Sequence, residues 1–254
     1  MIKLIKYFLN LFGIYIYRSD WKLHYKNQEK KNKAKISFNE LYSKYYNKKN
    51  NKLIIFDVGA NTGQSIKRFN NEFNLKEIHC FEPNVPAFEK LKKIKSKNIF
   101  LNNLALGDKE KIQTFNNYPK TSSSSFYRID KKSSIYEMNK GFYSSNVKII
   151  TLDKYIEDSK IDKINILKID TQGFEVSVLK GAINAVKDKR IDFIETEINL
   201  GFQYEIKTSF KEIENQLFDN YVLLSIDEAG DIISNFDFQI NVIYANKDLI
   251  DKFE

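Results

Sequence analysis

The 254 residues are 42% hydrophobic and 14% aromatic, enough apolar surface to close a core, which excludes a globally disordered chain. The net charge of +8 is unevenly held: residues 1–52 carry 13 Lys+Arg against 3 acids, and residues 53–254 carry 28 against 30. The larger segment is near neutral, which argues against a face built to grip a nucleic-acid backbone. Cys80, the single cysteine, lies in an apolar run and can form no internal disulfide, so a reducing, cytoplasmic setting is expected.

In residues 1–17, Ile2, Ile5, Leu9, Phe12 and Ile16 recur at helical spacing, with Lys3, Lys6 and Asn10 on the opposite stripe. The longest charge-free run, Tyr7 to Tyr17, is 11 residues, short of the roughly 20 that span a bilayer. No small-residue cleavage site follows it. The pattern describes an amphipathic helix that either lies peripherally on an anionic membrane surface, at the inner face, or packs on its own domain. Residues 20–52, rich in Lys, Asn and Tyr, read as a solvated linker in which Ile36, Leu41 and Tyr45 mark a short helix. The expected division is therefore 1–52, basic helix and linker, and 53–254, the main globular domain.

From Leu53 the chain alternates strand, turn and helix. Leu53 to Val58 has no polar alternation, as in a strand buried on both faces of a parallel sheet. A helix over Gln64 to Phe73, a strand over Glu77 to Phe81, a helix over Pro86 to Ile94 and a strand over Ile99 to Leu106 follow. Residues 108–150 interrupt the rhythm with the small-hydroxyl run Thr121 to Ser125 and several tyrosines. A surface excursion is the default for such an insertion, a substrate-facing lid its functional alternative. A short helix at Leu152 to Glu157, a strand at Ile164 to Asp170, a helix at Phe174 to Val186 and a strand at Ile191 to Ile198 resume the alternation. A helix at Phe210 to Leu217 and strands at Tyr221 to Ile226 and Phe238 to Ala245 close it. The fold class is α/β: a Rossmann-like, seven-stranded, mostly parallel sheet with helices on both faces and a C-terminal antiparallel hairpin.

Gly59-Ala60-Asn61-Thr62-Gly63 follows the first strand as a tight turn at which backbone N–H groups and a helix N-terminus approach a ligand. It departs from the dinucleotide pattern G-x-G-x-x-G, with Asn61 at the second glycine position and no third glycine. Asp57, just before it, would repel a diphosphate and suits a positively charged ligand. Glu82 ends the next strand 25 residues after Asp57, where a carboxylate accepts hydrogen bonds from ribose hydroxyls. His79 falls within that strand and reads as a packed residue. No Cys/His cluster has metal-ligand spacing, so no structural zinc and no assigned metal ligand is expected, with a carboxylate-bound divalent cation left as the open alternative.

The chain resembles the FkbM-type methyltransferases, a class I S-adenosylmethionine-dependent family. The resemblance is carried by Phe56-Asp57-Val58-Gly59-Ala60-Asn61-Thr62-Gly63, Phe81-Glu82-Pro83-Asn84, Asn103-Leu104-Ala105-Leu106-Gly107, Thr151-Leu152-Asp153-Lys154-Tyr155, Leu167 through Glu175, and Val178-Leu179-Lys180-Gly181-Ala182. It implies S-adenosylmethionine as methyl donor and a hydroxyl as the usual acceptor, often on a sugar or a polyketide. Gly59, Asn61 and Gly63 would then line the methionine portion and Asp57 help hold its amino group. Glu82 would take the ribose, and the turn from Asn103 to Gly107, with Asn103 and Ala105, would border the adenine.

Many family members carry Glu where this chain has Gln172, which cannot ionise, so proton acceptance falls elsewhere. Asp170, ending a central strand, is the first candidate for a base or orienting group, with Glu197 in support. Glu175 reads as a first-turn acid favoured by the helix dipole. Lys168, mid-strand, would need a carboxylate partner if buried. The expected function is O-methylation of a sugar hydroxyl in glycan or surface-polysaccharide synthesis, with a small-molecule or glycan acceptor and no nucleic-acid partner. A nucleic-acid methyltransferase and a non-catalytic cofactor-binding scaffold are the alternatives. The fourth strand leads into Asp-Thr-Gln-Gly rather than the Asn/Asp-Pro-Pro-aromatic run that grips a planar amine.

Overall fold

The computed structural model describes residues 38–46, 52–206, 208–229 and 239–252. The expected amphipathic helix at 1–17 and most of the expected linker lie outside them. The chain divides into two compact units, residues 1–41 and 42–254. Helix α1 (Phe38–Tyr45) leads into the larger unit. Within that unit Tyr42 and Tyr46 are buried, and their rings meet Phe193 edge-on at 5.3 and 5.7 Å. The Tyr46 hydroxyl donates to Asp192 at 2.6 Å. The short helix expected in this stretch is present, but the segment just before the first strand also contributes to the core, where the composition of 20–52 suggests a solvated linker.

Seven strands form the main sheet: β1 (Leu53–Val58), β2 (Leu75–Phe81), β3 (Ile99–Asn102), β7 (Ile164–Ile169), β8 (Ile191–Asn199), β9 (Tyr221–Ala229) and β10 (Gln239–Asn246). Their order is β3-β2-β1-β7-β8-β10-β9. The pairs from β3 to β8 are parallel, and β10 runs antiparallel between β8 and β9. The order reverses between β1 and β7, and a parallel sheet opens a ligand crevice at the carboxyl ends of strands at such a point.

Helices α2 (Gln64–Glu72), α3 (Val85–Leu91), α4 (Leu152–Asp158), α5 (Glu175–Lys180), α6 (Ile183–Lys187) and α7 (Phe210–Leu217) connect the strands. Their starts follow capping chemistry. Asn84 accepts from Ala87 N–H ahead of a proline-bearing first turn, Thr151 accepts from Lys154 N–H, and Ser209 with Glu212 forms a capping box. The core is aliphatic, centred on Leu167, Ile169, Val178, Leu179, Ile194 and Ile198.

Two elements differ from the periodicity reading. The expected helix from Phe174 to Val186 is two helices. A Cβ at Gly181 would lie 1.9 Å from the Gly107 carbonyl oxygen, so the chain bends where only glycine permits that approach. The expected strand from Ile99 to Leu106 also divides. Its second half, β4 (Ala105–Leu106), joins β5 (Lys111–Asn117) and β6 (Tyr143–Ile150) in a separate three-stranded sheet. This small sheet carries the insertion to the crevice mouth.

Candidate active site

A cavity of about 390 Å³ opens at the carboxyl ends of β1, β2 and β7. One wall is the glycine turn. Gly59 and Ala60 N–H both donate to the Phe81 carbonyl, at 2.9 and 3.1 Å, which ties β1 to β2. Gly59 has φ +85°, and a Cβ there would sit 1.9 Å from the Asp170 carbonyl oxygen. The turn thereby presses directly on the end of β7. Gly59 and Asn61 line the cavity, whereas Gly63 begins α2 beside Ile94 and Leu91 without lining it. On the next two turns of α2, Gln64, Ser65 and Arg68 face the cavity.

Glu82 is buried on the same wall. Its Oε2 accepts from Asn61 N–H and its Oε1 from Asn84 N–H, both at 2.7 Å. Burial pushes its carboxyl up from the ordinary 4.5 to about 7 against those two hydrogen bonds. Ala105 and Leu106 line the cavity beyond it, with Pro83, Phe115, Phe126 and Phe174. Asn103 does not line it; its amide donates to the Glu82 carbonyl at 2.8 Å and fixes the turn that delivers Ala105.

The opposite wall is charged. Asp170 and Lys168 both line the cavity, and the Lys168 ammonium lies 3.1 Å from Asp170 Oδ2 and 3.6 Å from Asp57 Oδ1. Asp57 is fully buried behind this pair and does not line the cavity. Among the described residues neither of its oxygens accepts a hydrogen bond. Burial pushes Asp57 up, opposed by Lys168. Burial also works against the Lys168 charge, but Asp170 and Asp57 hold it above the usual lysine range. The carboxylate partners that a buried Lys168 requires are thus Asp170 and Asp57, not Glu197.

Gln172 connects the two acids singled out in the sequence. Its amide donates to Asp170 Oδ1 at 2.9 Å and to Glu197 Oε1 at 3.1 Å. Its carbonyl accepts from Gln203 Nε2 at 3.0 Å and lies 2.9 Å from the Tyr204 hydroxyl. All its hydrogen-bonding capacity is used. A carboxylate in its place would set three acids together, so the amide is the group that lets Asp170 and Glu197 approach one another. Their environments push them apart in acidity. Burial raises Asp170, but Lys168 and the hydrogen bonds from Gln172 and Lys168 hold it below the usual range. Burial, then the Asp170 charge, pushes Glu197 well above it. Glu197 stands behind Gln172 rather than on the cavity surface.

Two features escape sequence reasoning. Glu175 stands in the first turn of α5, as expected, but not at the surface. It is fully buried, and its Oε1 accepts from Thr171 N–H at 2.9 Å and Gly173 N–H at 3.0 Å, which holds the turn that presents Asp170 and Gln172. The hydroxyl run at 121–125 departs from the default surface excursion and lies nearer the alternative, a loop over the cavity. Ser123, Ser124 and Ser125 are buried, Thr121 donates to Asn61 Oδ1 at 3.0 Å, and Ser125 donates to the Gln172 carbonyl at 2.7 Å. This loop joins both walls and covers the cavity. Arg68 is a further missed residue. It pairs bidentately with Glu195 at 2.9 Å, and Glu195 also accepts from the Tyr42 hydroxyl at 2.8 Å. Its signal in the sequence is its place four residues after Gln64, on the same helix face. His79 is packed as expected, stacked on Phe100 at 4.6 Å.

The glycine-turn crevice has the layout of a nucleoside-type donor site. The model of the Methyltransferase FkbM domain matches residues 57–231, and the chain belongs to this family of S-adenosylmethionine-dependent methyltransferases. It is 24% identical over 151 residues to the hexuronic acid methyltransferase AglP of Haloferax volcanii, a match that covers 58% of this chain and 56% of that protein. The chain thus spans about half the length of the curated relative it matches. The FkbM methyltransferase structure from Methylobacillus flagellatus is 15% identical with a TM-score of 0.49, covering 79% of this chain and 47% of that one. TrmK of M. capricolum bound to S-adenosylhomocysteine is 12% identical with a TM-score of 0.39, covering 84% of this chain and 70% of that one. Among the described residues no helix is long and apolar enough to cross a membrane.

Proposed function

We propose that this chain transfers a methyl group from S-adenosylmethionine to a sugar hydroxyl. The residues fit the donor. Glu82, buried and already oriented by two backbone N–H groups, would accept the ribose hydroxyls. The apolar and aromatic surface around Ala105 and Phe126 would hold the adenine. The charged end at Arg68, Lys168 and Asp170 would hold the zwitterionic methionine, with Gly59 and Asn61 beneath it. Asp57 would act only indirectly, by helping to hold Lys168 in place.

The observation that carries the reading is Asp170, an ionised carboxylate on the cavity wall, fixed by Lys168 and Gln172. When bound, S-adenosylmethionine supplies a methyl group already activated on its sulfonium. Asp170 accepts a hydrogen bond from the acceptor hydroxyl and aligns it in line with that methyl. As the C–O bond forms, the oxygen turns strongly acidic, so even a carboxylate held below the usual range takes the proton. Glu197 acts behind Gln172 and holds its amide in place, a positioning role.

The acceptor class is supported by the AglP relative, which acts on a hexuronic acid, and by the near-neutral charge of residues 53–254, which suits a small acceptor better than a nucleic acid. The basic segment at 1–17 would bring the enzyme to an anionic membrane face where lipid-linked sugars are found; liposome co-sedimentation of the full chain against one starting near residue 42 tests that part. A methyl-transfer assay on a panel of sugars, with S-adenosylhomocysteine calorimetry alongside, tests the whole. Binding of the donor product without transfer to any sugar rejects the acceptor assignment, and transfer to RNA instead would install the nucleic-acid alternative.

A further inference from the structure

The insertion between β5 and β6 forms a second concavity of about 190 Å³, separate from the donor cavity. Its walls mix rings and cations: Tyr118, Tyr136 and Phe142 with Arg128, Lys131 and Lys140. Tyr118 and Phe142 lie 5.1 Å apart at a tilt of 39°, and the Arg128 guanidinium sits 6.0 Å from the Phe142 ring centre. Tyr118 is buried and Phe142 is 38% exposed, so the ring pair runs from floor to rim. Lys140 is paired with Glu137 at 2.6 Å. Arg128 and Lys131 form no ion pair among the described residues. The one acid in the lining is Glu205. A Cβ on Gly141 would meet nothing within 4 Å, which leaves that side open to a ligand.

This concavity adjoins the Asp170 cluster. Arg128 to Asp130 runs alongside Gln203 to Glu205, joined by the Ile129–Tyr204 bridge, by Glu205 N–H to the Arg128 carbonyl at 2.8 Å and by Asp130 N–H to the Gln203 carbonyl at 3.1 Å. The same Gln203 and Tyr204 reach Gln172. Tyr118 N–H donates to Ser124 Oγ at 3.0 Å, and Ser124 lines the donor cavity. Tyr118, Ile129 and Tyr204 pack in one buried cluster.

Aromatic faces stack on the apolar faces of sugar rings, and an unpaired guanidinium with a neighbouring ammonium selects an anion. We infer that this concavity is a subsite for an anionic saccharide, held by a carboxylate or phosphate substituent on Arg128 and Lys131. The inference rests on the sugar reading above and sharpens its substrate class.

The test uses the full chain saturated with S-adenosylhomocysteine and three probes: methyl glucoside, methyl glucuronide and glucose 6-phosphate. At low salt at least one anionic probe is expected to bind about tenfold tighter than the neutral sugar, with the advantage shrinking as salt rises. The preferred anion distinguishes a uronic acid from a sugar phosphate. The R128Q/K131Q variant is expected to remove that advantage and keep its affinity for S-adenosylhomocysteine, which shows it is folded. E205Q is expected to strengthen anion binding, and F142A to weaken all three probes. Equal binding of neutral and anionic sugars, no sugar binding at all, or an unchanged anion preference in R128Q/K131Q overturns the subsite. If neutral sugars alone are methylated, the subsite fails and the sugar reading stands. If a non-sugar is the only acceptor, both fail.

Discussion

The two walls of the crevice are made differently. From Val58 to Glu82 the wall is largely main chain: three consecutive turn N–H groups are spent on the Phe81 carbonyl and the Glu82 carboxylate, and a side chain is excluded at Gly59. From Lys168 to Gln172 the wall is made of side chains: Lys168 and Asp170 line it with Gln172, which ties Asp170 to Glu197 behind, and Asp57 is buried beyond Lys168. A main-chain wall binds by shape and is nearly independent of pH, with Glu82 its one titrating exception. A charged wall sets acidity and can be retuned by a single substitution.

Breaking the first wall has the largest expected effect. In Gly59→Ala the new methyl meets a backbone carbonyl and the residue is held at φ +85°, so stability falls by about 4 kcal/mol or more. Thermal unfolding and S-adenosylhomocysteine titration should both show it. A folded variant with ordinary affinity would mean that the contact between turn and β7 is not rigid.

Asp170→Asn strikes the second wall. The expected loss in kcat is about 10²- to 10⁴-fold, with donor-product affinity changed far less, read by single-turnover methyl transfer and calorimetry. Near wild-type turnover would remove Asp170 from the chemistry. Glu197→Gln should cost less, because it acts through Gln172.

The titration of Glu82 sharpens the contrast. Folding raises its proton affinity, so in the ligand-free protein its contribution to stability is full below 4.5 and is lost as pH rises through about 7. Ribose hydroxyls favour the ionised form, so affinity for S-adenosylhomocysteine should climb as pH passes from 6 to 8. Glu82→Gln should lower that affinity about 10- to 100-fold and flatten the climb. An unchanged slope in the variant would assign the titration to another group.

The smallest effect is expected from Gln172→Glu. It brings a third carboxylate against Asp170 and Glu197, and stability should fall by about 1–3 kcal/mol. The loss should shrink on acidification, as Glu197, already pushed up, binds its proton. A variant as stable as wild type across pH would show that the three acids share protons without strain.

Legibility follows the same division. The glycine turn, Glu82 and the strand ends were readable because each depends on a few consecutive residues whose backbone demands are local. The order of the apolar strands likewise gave the seven-stranded sheet. Where β4 leaves the main sheet and where the helix after Phe174 breaks were not readable, since both depend on partners far along the chain, β6 and Gly107. The burial of Tyr42 and Tyr46 against β8 was hidden by a polar composition that mixes core rings with solvated lysines.

What the sequence determined by itself is the donor motif and its scaffold, because a turn that must approach a ligand needs glycine, and a strand buried on both faces must be apolar. What only the tertiary structure decided is the acid arrangement. Asp170 is held ionised and Glu197 is pushed toward its protonated form by Lys168, by burial and by one amide between them. Acidity depends on distances between charges and on access to water, and neither is written in the spacing of residues along the chain.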